Sequence, residues 1–182
     1  MDTNPPFKVK GTKTVYENGL LSVSSDTVVY ENGPEKEFTK VTLKPGSSAL
    51  AINDSGEIYL TKEFRYAINE ISVEAVSGGI DKNETPLEAA KRELEEEAGL
   101  LADEWIDLGL VHPFTAAIHS PNYMFLAKNL IETEQRLEDS EIIEIIKIPL
   151  EEAVQMVMSG KIKHAATCTL ILKTEKYLSS KK

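Results

Sequence analysis

The chain has 182 residues, 41% of them hydrophobic and 27% charged, which fits one globular domain with a small appendage and excludes global disorder. Its single cysteine excludes an intrachain disulfide framework and a multi-cysteine zinc site. Twenty Lys and Arg against thirty Asp and Glu leave a net charge of −10, a field that repels nucleic acid and anionic membranes, so an anionic ligand calls for a metal between it and the protein.

The first residues carry no apolar run of secretory length, and no stretch reaches the roughly eighteen apolar residues of a membrane span; the expected setting is the cytoplasm. Thr12 to Tyr16, Leu20 to Tyr30 and Glu37 to Leu43 are rich in β-branched and aromatic residues and are separated by Asn18-Gly19 and Asn32-Gly33-Pro34. They predict a small antiparallel unit over residues 1–46, with the main domain over 47–182. Ser48 to Ile52 and Glu57 to Phe64, joined by Asn53-Asp54-Ser55-Gly56, read as a hairpin that Ile71 to Val76 extends. Thr85-Pro86-Leu87-Glu88 supplies an N-cap hydroxyl, a first-turn proline and a glutamate three residues on, and Gly99 supplies the stop, so a helix is predicted between Thr85 and Gly99. Trp105 to Val111, Asn122 to Leu130 and Ile142 to Ile148 read as strands, and Leu150 to Ser159 and Ala165 to Leu178 as helices.

On the first of these helices Glu93, Glu96 and Glu97 fall within an arc of about 100°, while Leu87, Leu94 and Ala98 cluster on another flank. Glutamate-rich helices are common as solvated faces, yet three carboxylates within one turn repel one another unless a cation neutralises them. Oxygen donors alone suit Mg²⁺, with Mn²⁺ as the alternative, and Mg²⁺ commonly bridges carboxylates to a ligand's phosphates.

The spacing is more specific than the composition. Gly78 to Leu100 fits G-x5-E-x7-R-E-U-x-E-E-x-G-U, with U a bulky apolar residue, at all nine specified positions; a chance match in a chain of this length has a probability on the order of 10⁻⁷. This segment resembles the Nudix box. The resemblance implies an α+β fold, the Nudix α/β/α sandwich with a mixed sheet, beside the small N-terminal antiparallel β unit. It implies Glu93 and Glu97 as principal metal ligands, Glu96 beside them, and the backbone carbonyl of Ser77 or Gly78 completing the shell. Glu84 and Arg92 would form a structural ion pair, and Gly78 would open the box. Water would attack a metal-bridged diphosphate while a carboxylate acts as base.

Lys62-Glu63-Phe64-Arg65-Tyr66-Ala67 followed by Val73-Glu74, together with Pro149 to Ala153 and Gly160-Lys161-Ile162, resembles the ADP-ribose and nucleoside diphosphate sugar pyrophosphatases. That likeness implies Arg65 and Glu74 at the substrate, His119 in a loop near it, and a homodimer that exchanges its N-terminal unit. Tyr16, Tyr30 or Phe38 of that unit would then stack on a base or pack across strands. It also implies a catalytic base in the acidic loop of Glu138, Asp139 and Glu141, with Glu141 favoured and Glu93 the alternative. Many of these relatives carry Ser-Pro-Gly where this chain has His112 to Pro121, so a dinucleoside polyphosphate, a coenzyme A or an oxidised nucleotide stays open as substrate, as does a non-catalytic nucleotide-binding module. His112 and His119 have no third histidine or cysteine beside them for a zinc site, and Cys168 reads as an inert core thiol.

Overall fold

The computed structural model describes residues 6–137 and 142–181. In chain order the strands are β1 (Phe7–Glu17), β2 (Leu21–Tyr30), β3 (Glu35–Leu43), β4 (Gly46–Ile52), β5 (Glu57–Arg65), β6 (Glu70–Glu74) and β7 (Val76–Gly79). Helix α1 (Pro86–Ala98) follows, then β8 (Leu100–Val111), β9 (Ile118–His119), β10 (Asn122–Glu132), β11 (Glu144–Pro149), α2 (Leu150–Met158) and α3 (Ala165–Ser179). The chain divides into two compact units, Met1–Lys44 with His112–Ser120, and Pro45–Val111 with Pro121–Lys182.

The first unit is a sheet in the order β1-β2-β3-β9. The Asn18 side-chain oxygen accepts the backbone N–H groups of Leu20 and Leu21, each at 2.9 Å, closing the β1–β2 connection, and the Gly33 N–H donates to the Tyr30 carbonyl at 3.2 Å in the β2–β3 turn. The first three strands pair antiparallel as the sequence predicts, but β9 adds in parallel to β3 through Val41–Ile118 and Thr42–His119. The unit therefore takes in His112–Ser120, which the sequence reading assigns to the main domain. Two β-strand residues carry no periodicity of their own, so only pairing with β3 defines them. Phe7 stacks on Phe38 with ring centroids 5.8 Å apart. Val9, Val15, Tyr16, Leu20 and Phe38 keep large exposed surfaces.

The second unit is built on a sheet in the order β11-β5-β4-β10-β8, with β6 on β5 and β7 on β4. It is mixed because β10 runs parallel to β4 while its other ladders are antiparallel. Both faces are covered, and the pleat sorts the residues. On β4, Leu50 and Ile52 join Ile58, Leu60, Met124, Leu126, Leu170 and Ile171 in one core, while Ala49 and Ala51 join Tyr59, Val76, Leu94, Leu100 and Phe125 in the other. Helices α2 and α3 supply the first core and α1 the second, so the sheet is sandwiched between helices.

The run Ile71 to Val76, read as one strand in the sequence, is two. Strand β6 pairs with β5 as far as Glu74–Thr61, and β7 then pairs with β4 from Val76–Ala49. Between them, the buried Ala75 gives its N–H to the Thr167 hydroxyl at 2.8 Å. The chain thus changes partners, which carries Ser77, Gly78 and Gly79 onto the edge of β4.

Candidate active site

Helix α1 is fixed at both ends. Thr85 and Glu88 form the capping box, with Pro86 in the first turn, and Gly99 at φ 61° returns its N–H to the Glu95 carbonyl at 3.0 Å. Leu94, fully buried, locks the helix face to the sheet and leaves the acidic arc facing β7. On the other side, β7 is tied to β4 by the Ser48–Ser77 hydroxyl contact at 2.7 Å, and β4 to the start of α1 by Ser47, whose hydroxyl donates to the Pro86 carbonyl at 2.7 Å.

The two sides meet closely. A Cβ on Gly78 would lie 1.8 Å from Oε1 of Glu93, so only a residue without a side chain lets that carboxylate rest against β7. Arg92 organises the rest. Its Nε and Nη2 donate to the two oxygens of Glu84 at 2.9 and 3.1 Å, and Nη2 also reaches the Gly79 carbonyl at 3.1 Å. Nη1 donates to Glu93 at 2.7 Å and to Glu96 at 3.2 Å. The hydrogen bond from Arg92 holds the Glu84 carboxyl below the usual carboxylate range, and the same contacts raise the guanidinium's own pKa.

These groups line a cavity of about 210 Å³ with Glu63, Arg65, Ser77, Gly78, Gly79, Arg92, Glu93, Glu96, Glu97 and Arg136. Glu97 is only 8% exposed, and its charge is one of those that stabilise the Arg65 cation. Among the described residues no three acidic, cysteine or histidine side chains stand close enough to hold a metal as they are; the Arg92 guanidinium pairs with both Glu93 and Glu96 and supplies positive charge there. The donor set suits a hard cation: carboxylates and backbone carbonyls, with no thiolate or imidazole in the lining.

Arg65, at the end of β5, gives Nε and Nη2 to the two oxygens of Glu74 at 3.2 and 2.8 Å, and Nη1 lies 2.7 Å from Glu63. Burial raises the Glu74 carboxyl, but the hydrogen bonds of Arg65 and Ser72 and the charges of His164 and Arg65 together outweigh it and hold the group below its ordinary range. Behind Glu74 stands His164, with Nδ1 at 3.5 Å from Glu74 and 2.9 Å from the Thr167 hydroxyl. Burial pushes the imidazole pKa down from 6.5.

That network makes stability pH-dependent. In both Glu74 and His164 the folded state binds its proton less readily than the unfolded chain, so their contribution is complete above the unfolded values and drains as pH falls. It should begin to drain near 6.5 through His164 and continue below 4.5 through Glu74. The melting temperature is expected to fall on acidification through this window, and His164→Gln should flatten the upper part; a midpoint steady down to pH 4.5 would remove His164 as a determinant, and one steady well below 4.5 would remove the whole network.

His119 lies in the first unit, where it pairs in β9 and lines a separate cavity of about 420 Å³ with Phe7, Val28, Phe38, Lys40 and His112. Glu138, Asp139 and Glu141 lie outside the described residues. Cys168 donates its thiol to the Ile162 carbonyl at 3.3 Å, packs against the α2/α3 core and is held protonated by burial. Sequence reasoning assigned no role to Glu63, Arg136 or His164. Glu63 sits inside a recognisable segment, whereas Arg136 is brought in by a loop with no motif.

A model of the NUDIX domain matches residues 42–167. The chain belongs to the Nudix family. As a Nudix protein it is similar to an ADP-ribose pyrophosphatase of Bacillus subtilis, with 28% identity over 167 residues covering 90% of each chain. It is also similar to a GDP-mannose pyrophosphatase of Yersinia pestis, with 30% identity over 137 residues covering 69% of this chain and 68% of the other. A crystal structure of an ADP compounds hydrolase superposes with a TM-score of 0.85 at 18% identity, covering 100% of this chain and 98% of that one, and so has the same fold.

Proposed function

We propose that this Nudix protein hydrolyses the pyrophosphate linkage of ADP-ribose or a related nucleoside diphosphate sugar, releasing a nucleoside monophosphate and a sugar phosphate. The observation that carries this reading is one small polar cavity in which the box carboxylates face three guanidiniums. The pyrophosphatase names of two relatives support the substrate class.

Glu93, Glu96 and Glu97, with the backbone carbonyl of Ser77 or Gly78, would hold Mg²⁺, or Mn²⁺ in its place. When bound, such a cation neutralises phosphate charge and lowers the pKa of an attacking water. Arg92 keeps Glu93 and Glu96 oriented through hydrogen bonds and ties them to the Glu84 loop. Arg65, aimed by Glu74, is the substrate-side guanidinium of β5. The water oxygen bonds to phosphorus as the bridging P–O bond breaks, and the water's proton passes to a carboxylate, Glu141 or Glu93. His119 serves the sugar or base. The protein acts as a homodimer in the cytoplasm through the exposed apolar residues of its first unit; no described helix is long and apolar enough to cross a membrane.

The test is a panel. Purified protein with Mg²⁺ is given ADP-ribose, GDP-mannose, ADP-glucose, diadenosine polyphosphates, coenzyme A and nucleoside triphosphates, with phosphate read after phosphatase coupling and mass by light scattering. Turnover confined to nucleotide sugars, from a particle of two chains, is expected. Preference for another compound would discard the substrate class and keep the chemistry. Silence with both Mg²⁺ and Mn²⁺ would make the chain a nucleotide-binding module.

A further inference from the structure

The cavity's three guanidiniums are not equally committed. In Arg92 all three nitrogens donate to Glu84, Glu93, Glu96 or the Gly79 carbonyl. In Arg65 all three face Glu63 or Glu74. Of the five N–H donors of a guanidinium, Arg92 has all five engaged and Arg65 three, which leaves Arg65 two for the substrate-side role proposed above.

Arg136 differs. Among the described residues its side chain engages one carboxylate, Glu95, through Nη2, and it is 63% exposed. Its backbone, in contrast, is anchored. The Arg136 N–H donates to the Glu96 carbonyl at 2.8 Å, the Gln135 side chain to the Glu97 carbonyl at 2.5 Å, and the Thr133 N–H to the Gly99 carbonyl at 2.8 Å. The loop from Thr133 to Arg136 thus caps carbonyls at the end of α1 that the helix itself leaves unpaired. A firm backbone at the box helix carries a side chain held by one exposed ion pair, a contact of little strength.

We infer that Arg136 is a substrate-binding residue, donating to a phosphate oxygen of the diphosphate and exchanging Glu95 for it when ligand enters. This rests on the nucleoside diphosphate reading above. It gives the loop after β10 a part in recognition, and it makes Glu95, a box-helix glutamate outside the consensus, the parking place of that side chain.

The experiment measures ADP affinity by calorimetry, with Mg²⁺ and after chelation, for wild type, Arg136→Gln, Arg136→Lys and Glu95→Gln, together with melting temperatures and ADP-ribose kinetics. Loss of a charged hydrogen bond should weaken ADP about tenfold in Arg136→Gln, raising KM by a similar factor with kcat little changed. Arg136→Lys should recover part of the loss. Glu95→Gln, which frees the guanidinium, should bind ADP at least as tightly as wild type. Unchanged ADP affinity in Arg136→Gln would overturn the assignment. So would equal losses of affinity and melting temperature in Arg136→Gln and Glu95→Gln, the mark of an ion pair that only pins the loop. A wild-type chain that bound neither ADP nor ADP-ribose would overturn the parent reading and this one with it.

Discussion

Glu97→Gln is expected to lower turnover of the substrate by about 1,000-fold while the protein stays folded. Glu97 is the most enclosed member of the acidic arc, 8% exposed on a helix whose neighbouring Leu94 is fully buried. Glutamine fills the same volume, so packing is kept, but the ligand charge is gone. If that charge contributes about 4 kcal/mol to stabilising the reacting diphosphate through its cation, the rate falls by about three decades. Glutamine also removes one negative neighbour from Glu93 and Glu96, and one favourable charge from Arg65; these offset each other, and the melting temperature should stay close to that of wild type. The measurement is kcat at saturating Mg²⁺ alongside thermal unfolding. Wild-type kcat in a well-folded variant would remove Glu97 from the proposed metal shell, and a collapse of both readings would make it a structural residue.

What could be read in the sequence was what local chemistry decides. Helix α1 runs from Pro86 to Ala98, between the predicted cap and stop, because Thr85, Pro86, Glu88 and Gly99 act within a turn of themselves. Arg92 meets Glu84 for a similar reason, since eight residues of turn and helix bring them together. Strand β9 and the break between β6 and β7 were not legible, because each depends on a partner strand distant in sequence: Val41 for Ile118, and the exchange of Thr61 for Ala49 across Ala75. Arg136 was the least legible of all. Its place at the cavity is set by carbonyls of α1 some forty positions earlier, which accept from the backbone of a loop whose residue types are not constrained by that bonding.

The box glycines differ in a way the consensus pattern conceals, and substitution should separate them. At Gly99 the backbone has φ 61°, and a Cβ would lie 2.8 Å from the Thr133 carbonyl and 2.9 Å from the Gln135 nitrogen. Backbone neighbours cannot swing aside, so alanine there costs stability. Gly78 has no such strain: the three atoms nearest its Cβ would all belong to the Glu93 carboxylate, with Oε1 at 1.8 Å and the carboxyl carbon at 2.0 Å. That is the far end of a flexible side chain, which can rotate away and let the protein fold. Rotation, however, removes Glu93 from its hydrogen bond with Arg92 and from its place against β7. Displacing a working group by about 1 Å costs on the order of 100-fold in rate. Gly78→Ala should therefore melt within a few degrees of wild type and lose about 100-fold in kcat, whereas Gly99→Ala should show the larger drop in melting temperature. Thermal unfolding and single-turnover rates of both variants make the comparison. A Gly78→Ala protein with wild-type turnover would mean that the Glu93 carboxylate has no fixed place in the reaction, and the catalytic weight would then shift to Glu96 and Glu97.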